Sequence, residues 1–235
     1  MYFGPPKVII LDPSLHLGVI ENDDNTSSFF VDCNNAEAHF IHSVVDNVTV
    51  NDILDPVYVP HIVNFLFPLN GVLNHEGVSK PLLAVQVTEL IDGSFVGCTM
   101  NHIIGDGSSF WQFFNFWSET SRGFDNISRP SVLNRWFPSN TNCPIRIPFC
   151  SNEDDEFLAN ATLYTSSSPQ FNVYGNDLGW GKPLAVRSGL ANKRDGKITV
   201  FPGMKEGSVD IEVCLLPEKF LAMENDKEFM QSIGI

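Results

Sequence analysis

Residues 81–123 constrain this chain more than any other stretch, because they set two β-rich runs, a hairpin turn, a glycine-rich corner and an aromatic helix in immediate succession. Pro81 to Leu90 and Ser94 to Met100 read as strands, and Asp92-Gly93 between them is a strong hairpin turn. Past the second run come Asn101-His102-Ile103-Ile104-Gly105-Asp106-Gly107. A helix follows, with Phe110, Phe113, Phe114 and Trp117 spaced to form one apolar face that must dock on the sheet. Ser109 with Gln112 reads as the capping box that starts it, and Arg122-Gly123 ends it. His102 therefore stands on a rigid corner between strand and helix.

The pairing of His102 with Asp106 is not rare in itself, since the chain holds 6 His and 28 Asp plus Glu. The same spacing recurs at His42 and Asp46. There the segment Ala36 to Asp46 reads as a short helix with Phe40, Ile41, Val44 and Val45 on its apolar stripe, so that His42 and Asp46 make an ordinary surface pair. No glycine or turn exposes them. His102 is different because Gly105 and Gly107 open the corner around it, and a neutral imidazole presented there suits a general base.

Hydrophobic residues make up 43% of the chain and aromatics 11%, enough for a buried core. The net charge of −14 repels nucleic acid and anionic membrane surfaces, and no basic patch offsets it, so neither is expected as a partner. Val8-Ile9-Ile10-Leu11 is cut short by Asp12-Pro13, no apolar run approaches the ~20 residues of a membrane span, and no secretory signal is evident. A cytoplasmic protein is expected. Its five cysteines lack any C-x-x-C pairing, so reduced thiols fit better than disulfides or a zinc site.

Elsewhere Phe29-Phe30-Val31 reads as strand and Thr49 to Asp52 as a capped helical turn. The Pro- and Asn-rich stretch from Arg129 to Ser151 reads as a surface connection, and Glu153 to Glu156 as a solvated charge run. Strands are predicted over 183–191 and 197–201, and Val209, Ile211, Val213 and Leu215 alternate as a third. A last helix starts at Pro217 and carries Phe220, Leu221 and Met223. This mixture of hairpins and helices predicts an α/β chain of layered α+β character, a mixed sheet with flanking helices.

A second unusual stretch is Asn176-Asp177-Leu178-Gly179-Trp180-Gly181-Lys182-Pro183, where two glycines flank a tryptophan. With His102, Asp106 and Gly107 it resembles the plant BAHD acyltransferases, whose signatures are H-x-x-x-D-G and D-F-G-W-G. The first is met in full; the second is met by Asp177, Gly179, Trp180 and Gly181, with Leu178 in place of Phe. The likeness extends from about Val48 through Gly123 and from about Ser166 to Met230. It implies a fold similar to chloramphenicol acetyltransferase, with two related domains and the histidine in a channel between them. It also implies transfer of an acyl group from a coenzyme A thioester to a hydroxyl or amine of a small plant secondary metabolite. Acyl-CoA is then a co-substrate, no metal is needed, and a monomer is expected.

The resemblance assigns His102 as general base and Asp177 as a family proton acceptor, although Asp177 in its own setting reads as structural. Asp106, Gly107, Gly179, Trp180 and Gly181 are orienting residues, and Asp106 is expected in an ion pair with an arginine. The Trp180 N–H and the amides near its glycines are candidate oxyanion donors. Lys182 is a candidate contact for a coenzyme phosphate, against the plainer reading of a solvated lysine.

Only 71 residues (177 minus 106) separate the signature aspartates, whereas family members are about twice the length of this chain. The expectation is a partial N-terminal domain over 1–157, lacking its opening strand and helix, joined to a partial C-terminal segment over 158–235 at a seam near Phe157 to Thr162. The competing reading is a catalytically inactive truncated paralogue or incomplete gene model, acting at most as a binding protein. A hydrolase using Ser108 or Ser109 is disfavoured, since no G-x-S-x-G elbow exists.

Overall fold

The computed structural model describes residues 16–32, 38–56, 58–124, 146–148, 163–167 and 171–232. Among the described residues there are three short sheets. In the first, β1 (His16–Glu21) and β2 (Thr26–Asp32) form an antiparallel hairpin. Its turn places Asn25 at φ +58°, a left-handed conformation that asparagine tolerates better than most residues. β3 (His39–Val44) and the short helix α1 (Val50–Leu54) follow. Thr49 caps α1 reciprocally with Asp52, as the sequence predicts.

The second sheet is built on β4 (Leu83–Glu89) and β5 (Ser94–Met100), the hairpin expected around Asp92-Gly93. β4 is the centre strand, parallel to β3 on one side and antiparallel to β5 on the other, and its middle five residues are buried. The two-residue alternation sorts its faces. Val85 and Val87, with Val96 and Cys98 of β5, pack against α2 (Gly107–Ser121) through Phe113, Phe114 and Trp117. On the opposite face Gln86 donates to the Phe65 carbonyl and to Thr88, while Phe95 packs with Ile53, Val63 and Leu66. Desolvation against the α2 cluster pushes the Cys98 thiol up to about 12.

β6 (Ile147–Pro148) joins the first sheet beside β2. β7 (Tyr164–Ser167), β8 (Lys197–Pro202) and β9 (Val209–Cys214) make the third sheet, with β7 parallel and β9 antiparallel to β8. Helices α3 (Pro217–Asn225) and α4 (Lys227–Ser232) follow. The second and third sheets thus share one plan: an edge strand, a long excursion, a parallel centre strand, a hairpin and a helix. Mixed sheets with few helices among the described residues match the layered α/β architecture expected.

Three expectations need correction. Residues 39–44 form a strand, not a helix; the apolar positions Phe40, Ile41 and Val44 fit either period, and the six-residue parallel register with β4 decides the outcome. His42 consequently meets Glu89 of β4 at 2.8 Å instead of Asp46. Residues 183–191 are irregular, because Ser188 and Leu190 give their amides to the side chains of Glu212 and Asn70, and a 3₁₀ turn begins at Leu190. Helix α2 starts at Gly107, two residues before the expected Ser109, since the Asp106 carboxylate takes the capping role. Val8 to Leu11, the charge run at Glu153 to Glu156, the seam at Phe157 to Thr162 and most of Arg129 to Ser151 lie outside the described residues.

Candidate active site

His102 sits two residues beyond the end of β5, in a turn held from below by the 3₁₀ segment Asn74–Val78. The Asn101 amide donates to the Leu82 carbonyl at 2.7 Å and the Asn101 side chain donates to the Asn74 carbonyl at 2.8 Å. The His102 amide donates to Asn74 Oδ1 at 3.1 Å, and Asn101 Oδ1 accepts from the Ile103 amide at 3.1 Å. Two asparagines therefore fix the backbone while the imidazole projects into solvent, with no side-chain partner among the described residues. Asn101 is legible as the neighbour of His102. Asn74 lies 28 residues away and carries no sequence signal for this task.

Asp106 turns the chain into α2. Its Oδ1 accepts from the Ser109 amide at 2.8 Å and from the Ser109 hydroxyl at 2.9 Å. These bonds, the amide first, hold its carboxyl below the usual carboxylate range. Ser109 is thus a donor to the cap and not the cap itself. The expected ion pair between Asp106 and an arginine is not formed among the described residues.

The arginine is committed to the other signature. Arg122, at the C-terminal end of α2, has Nη1 3.8 Å from Asp177 Oδ2. Asp177 Oδ1 accepts from the amides of Gly179 at 2.8 Å and Gly181 at 3.1 Å, which depresses its pKa, the Gly179 bond contributing most. Both glycines stand at positive φ, +99° and +103°, and a loop wrapped this tightly around one carboxylate demands it. The two amides flanking Trp180 are consequently spent on Asp177 and are not free for an oxyanion. Leu178 inserts into the cluster of Val85, Val87 and Trp117, the apolar slot where the family pattern has Phe.

The two signatures are therefore joined through α2, a 15-residue helix and so about 22 Å long. The first corner caps its N-terminus, and Asp177 pairs at its C-terminus. Beside the helix lies a cavity of about 650 Å³, with Trp180 and Gly181 on its wall. His102, Asp106, Gly107, Asp177 and Gly179 are not part of that wall. Among the described residues no cluster of three or more His, Cys, Asp or Glu is arranged to hold a metal ion, and no helix is long and apolar enough to cross a membrane.

The profile of the Transferase family matches residues 17–162 and 141–230, two segments that overlap near the short spacing between the signatures. An uncharacterized acetyltransferase of Arabidopsis thaliana is 26% identical over 367 positions, covering 93% of this chain and 83% of the relative. That span exceeds the 235 residues of the chain, so at least 132 positions (367 minus 235) of the alignment face gaps here. The BAHD acyltransferase DCR of Arabidopsis thaliana is 51% identical over 70 residues, 30% of this chain and 14% of that protein. A fatty alcohol:caffeoyl-CoA acyltransferase of the same plant is 39% identical over 77 residues, 32% of this chain and 18% of its own length. The intact H-x-x-x-D-G corner, the folded D-x-G-W-G loop and a family profile spanning most of the chain agree: this chain belongs to the Transferase family of BAHD acyltransferases and is shorter than its relatives.

Proposed function

We propose that the chain moves an acyl group from a coenzyme A thioester to a hydroxyl or amine of a small metabolite, with His102 as general base. The observation that supports this most is the presentation of an exposed imidazole on a backbone pinned by Asn74 and Asn101. In this reading neutral His102 takes the proton of the attacking O–H or N–H as the acceptor bonds to the thioester carbonyl. The tetrahedral intermediate collapses with cleavage of the C–S bond. The coenzyme A thiolate leaves and recovers the proton from the imidazolium, giving ester or amide and free thiol. That a relative's name specifies caffeoyl-CoA supports a thioester donor of this kind here.

Asp177 is proposed as an organising residue. A carboxylate held below its usual range by two amides is a weak proton acceptor, and its position at the far end of α2 suits tying the second loop to the helix. Asp106, Gly107, Gly179, Trp180 and Gly181 hold the two corners in shape. Residues 1–157 and 158–235 are read as the remaining parts of the two family domains. Against the relative aligned over 367 positions this chain carries gaps totalling at least 132 positions (367 minus 235), which agrees with two domains that are each partial.

A second reading, a non-catalytic remnant that at most binds, is favoured by that gap and by the large apolar side chains left outside the core. Val44, Leu163 and Leu184 are each more than 60% exposed. Incubation of the full chain with a panel of acyl-CoA thioesters and candidate alcohols and amines separates the two. Acceptor-dependent release of free coenzyme A supports the transferase; no release with any pair, in a chain that unfolds cooperatively, supports the remnant.

A further inference from the structure

The cavity beside α2 is a partly open cleft bordered by the β4–β5 hairpin, α1, α2 and the loop after Asp177, and its volume of about 650 Å³ is in the range of a small-molecule site. Its wall is largely apolar and includes the rings of Trp111 and Phe114 from α2, Phe95 from β5, and Phe67. Trp111 and Phe114 meet edge to face at 5.9 Å, within a run of rings that also takes in Phe110 and Phe171, and both line the cavity.

The charged side chains on this wall among the described residues are Lys182, Arg187 and Asp92. Asp92 is already engaged, accepting from the Val50 amide at 2.7 Å. Neither Lys182 nor Arg187 has a carboxylate partner among the described residues, although the chain carries 28 acidic side chains against 14 basic ones. Arg187 gives Nη1 to the Val186 carbonyl and leaves Nε without an acceptor. Two cations without a carboxylate partner among the described residues, on a largely apolar wall that carries aromatic rings, complement an anion with a flat apolar body.

We propose that this cavity binds an aromatic carboxylate, its ring against Trp111 and Phe114 and its carboxylate toward Lys182 and Arg187, as a site separate from His102. The proposal does not rest on the transferase reading, because His102 is not on this wall.

Naphthalene-2-carboxylate and naphthalene-2-methanol are titrated into the full chain while tryptophan emission is followed, since Trp111 and Trp180 line the cavity. Saturable quenching is expected, with the carboxylate bound about tenfold more tightly than the alcohol. Lys182→Gln, at an exposed side chain, reduces that preference about threefold. Lys182→Gln with Arg187→Gln abolishes it, and Ala185→Phe, which fills the cavity, weakens both probes. His102→Ala leaves both affinities unchanged. Quenching that does not saturate, equal affinity for the two probes, or a preference unaltered in Lys182→Gln overturns the proposal. So does competitive displacement of the carboxylate by coenzyme A, which makes the cavity part of the donor channel.

Discussion

Asp106 and Asp177 spend their carboxylates on backbone amides, one at the start of a helix and one inside a glycine loop. Asp106→Ala removes the cap of α2 and should cost about 1 kcal/mol in chemical denaturation, whereas Asp106→Asn, an equally good cap, should cost a few tenths. Both folded-state pKa values are lowered, so their stabilisation is complete above the unfolded value near pH 4 and is lost as pH falls through the lower folded values. An acid titration of helical dichroism should show the Asp106→Asn variant less sensitive than the parent in that window. Gly181 stands at φ +103° with nothing within 4 Å of where a Cβ would lie, so Gly181→Ala should cost about 1–3 kcal/mol through backbone strain alone. At this scale the sequence singles out His102 by its place on a glycine-rich corner, and Asp177 through the family resemblance. It hides Asn74 and the pairing of Arg122 with Asp177, because both are long-range contacts that no local pattern encodes.

Helix α2 links everything at the level of elements. Trp117, only 7% exposed, fills the space between it and Val85 and Val87 of β4, so Trp117→Ala should cost about 3–5 kcal/mol, read from the denaturation midpoint. Gly97 of β5 passes so close to the Leu66 carbonyl that an added Cβ would sit 2.1 Å from its oxygen. Gly97→Ala should therefore destabilise by about 1–3 kcal/mol, and by more if the strand cannot shift. The β4–β5 hairpin and α2 were legible because alternation, turn chemistry and aromatic spacing agree there. β3 was not, since its register with β4 is a tertiary fact, and the irregular 183–191 follows from side chains of Glu212 and Asn70 capturing amides that a strand would need.

The described residues repeat one strand–excursion–hairpin–helix plan in their second and third sheets, and the alignment to the 26% identical relative carries gaps totalling at least 132 positions (367 minus 235) in this chain. Composition and charge bounded the class of protein but not the enclosure of His102, which depends on what faces it across space. The account rests on that exposed imidazole acting as the base. The decisive measurement is acceptor-dependent release of free coenzyme A from the parent chain, His102→Ala and His42→Ala, the last altering only the surface pair with Glu89. The account predicts that His102→Ala lowers the rate by about 10²–10⁴-fold while His42→Ala stays near the parent. Equal rates in the parent and His102→Ala, or equal loss in both variants, would contradict it.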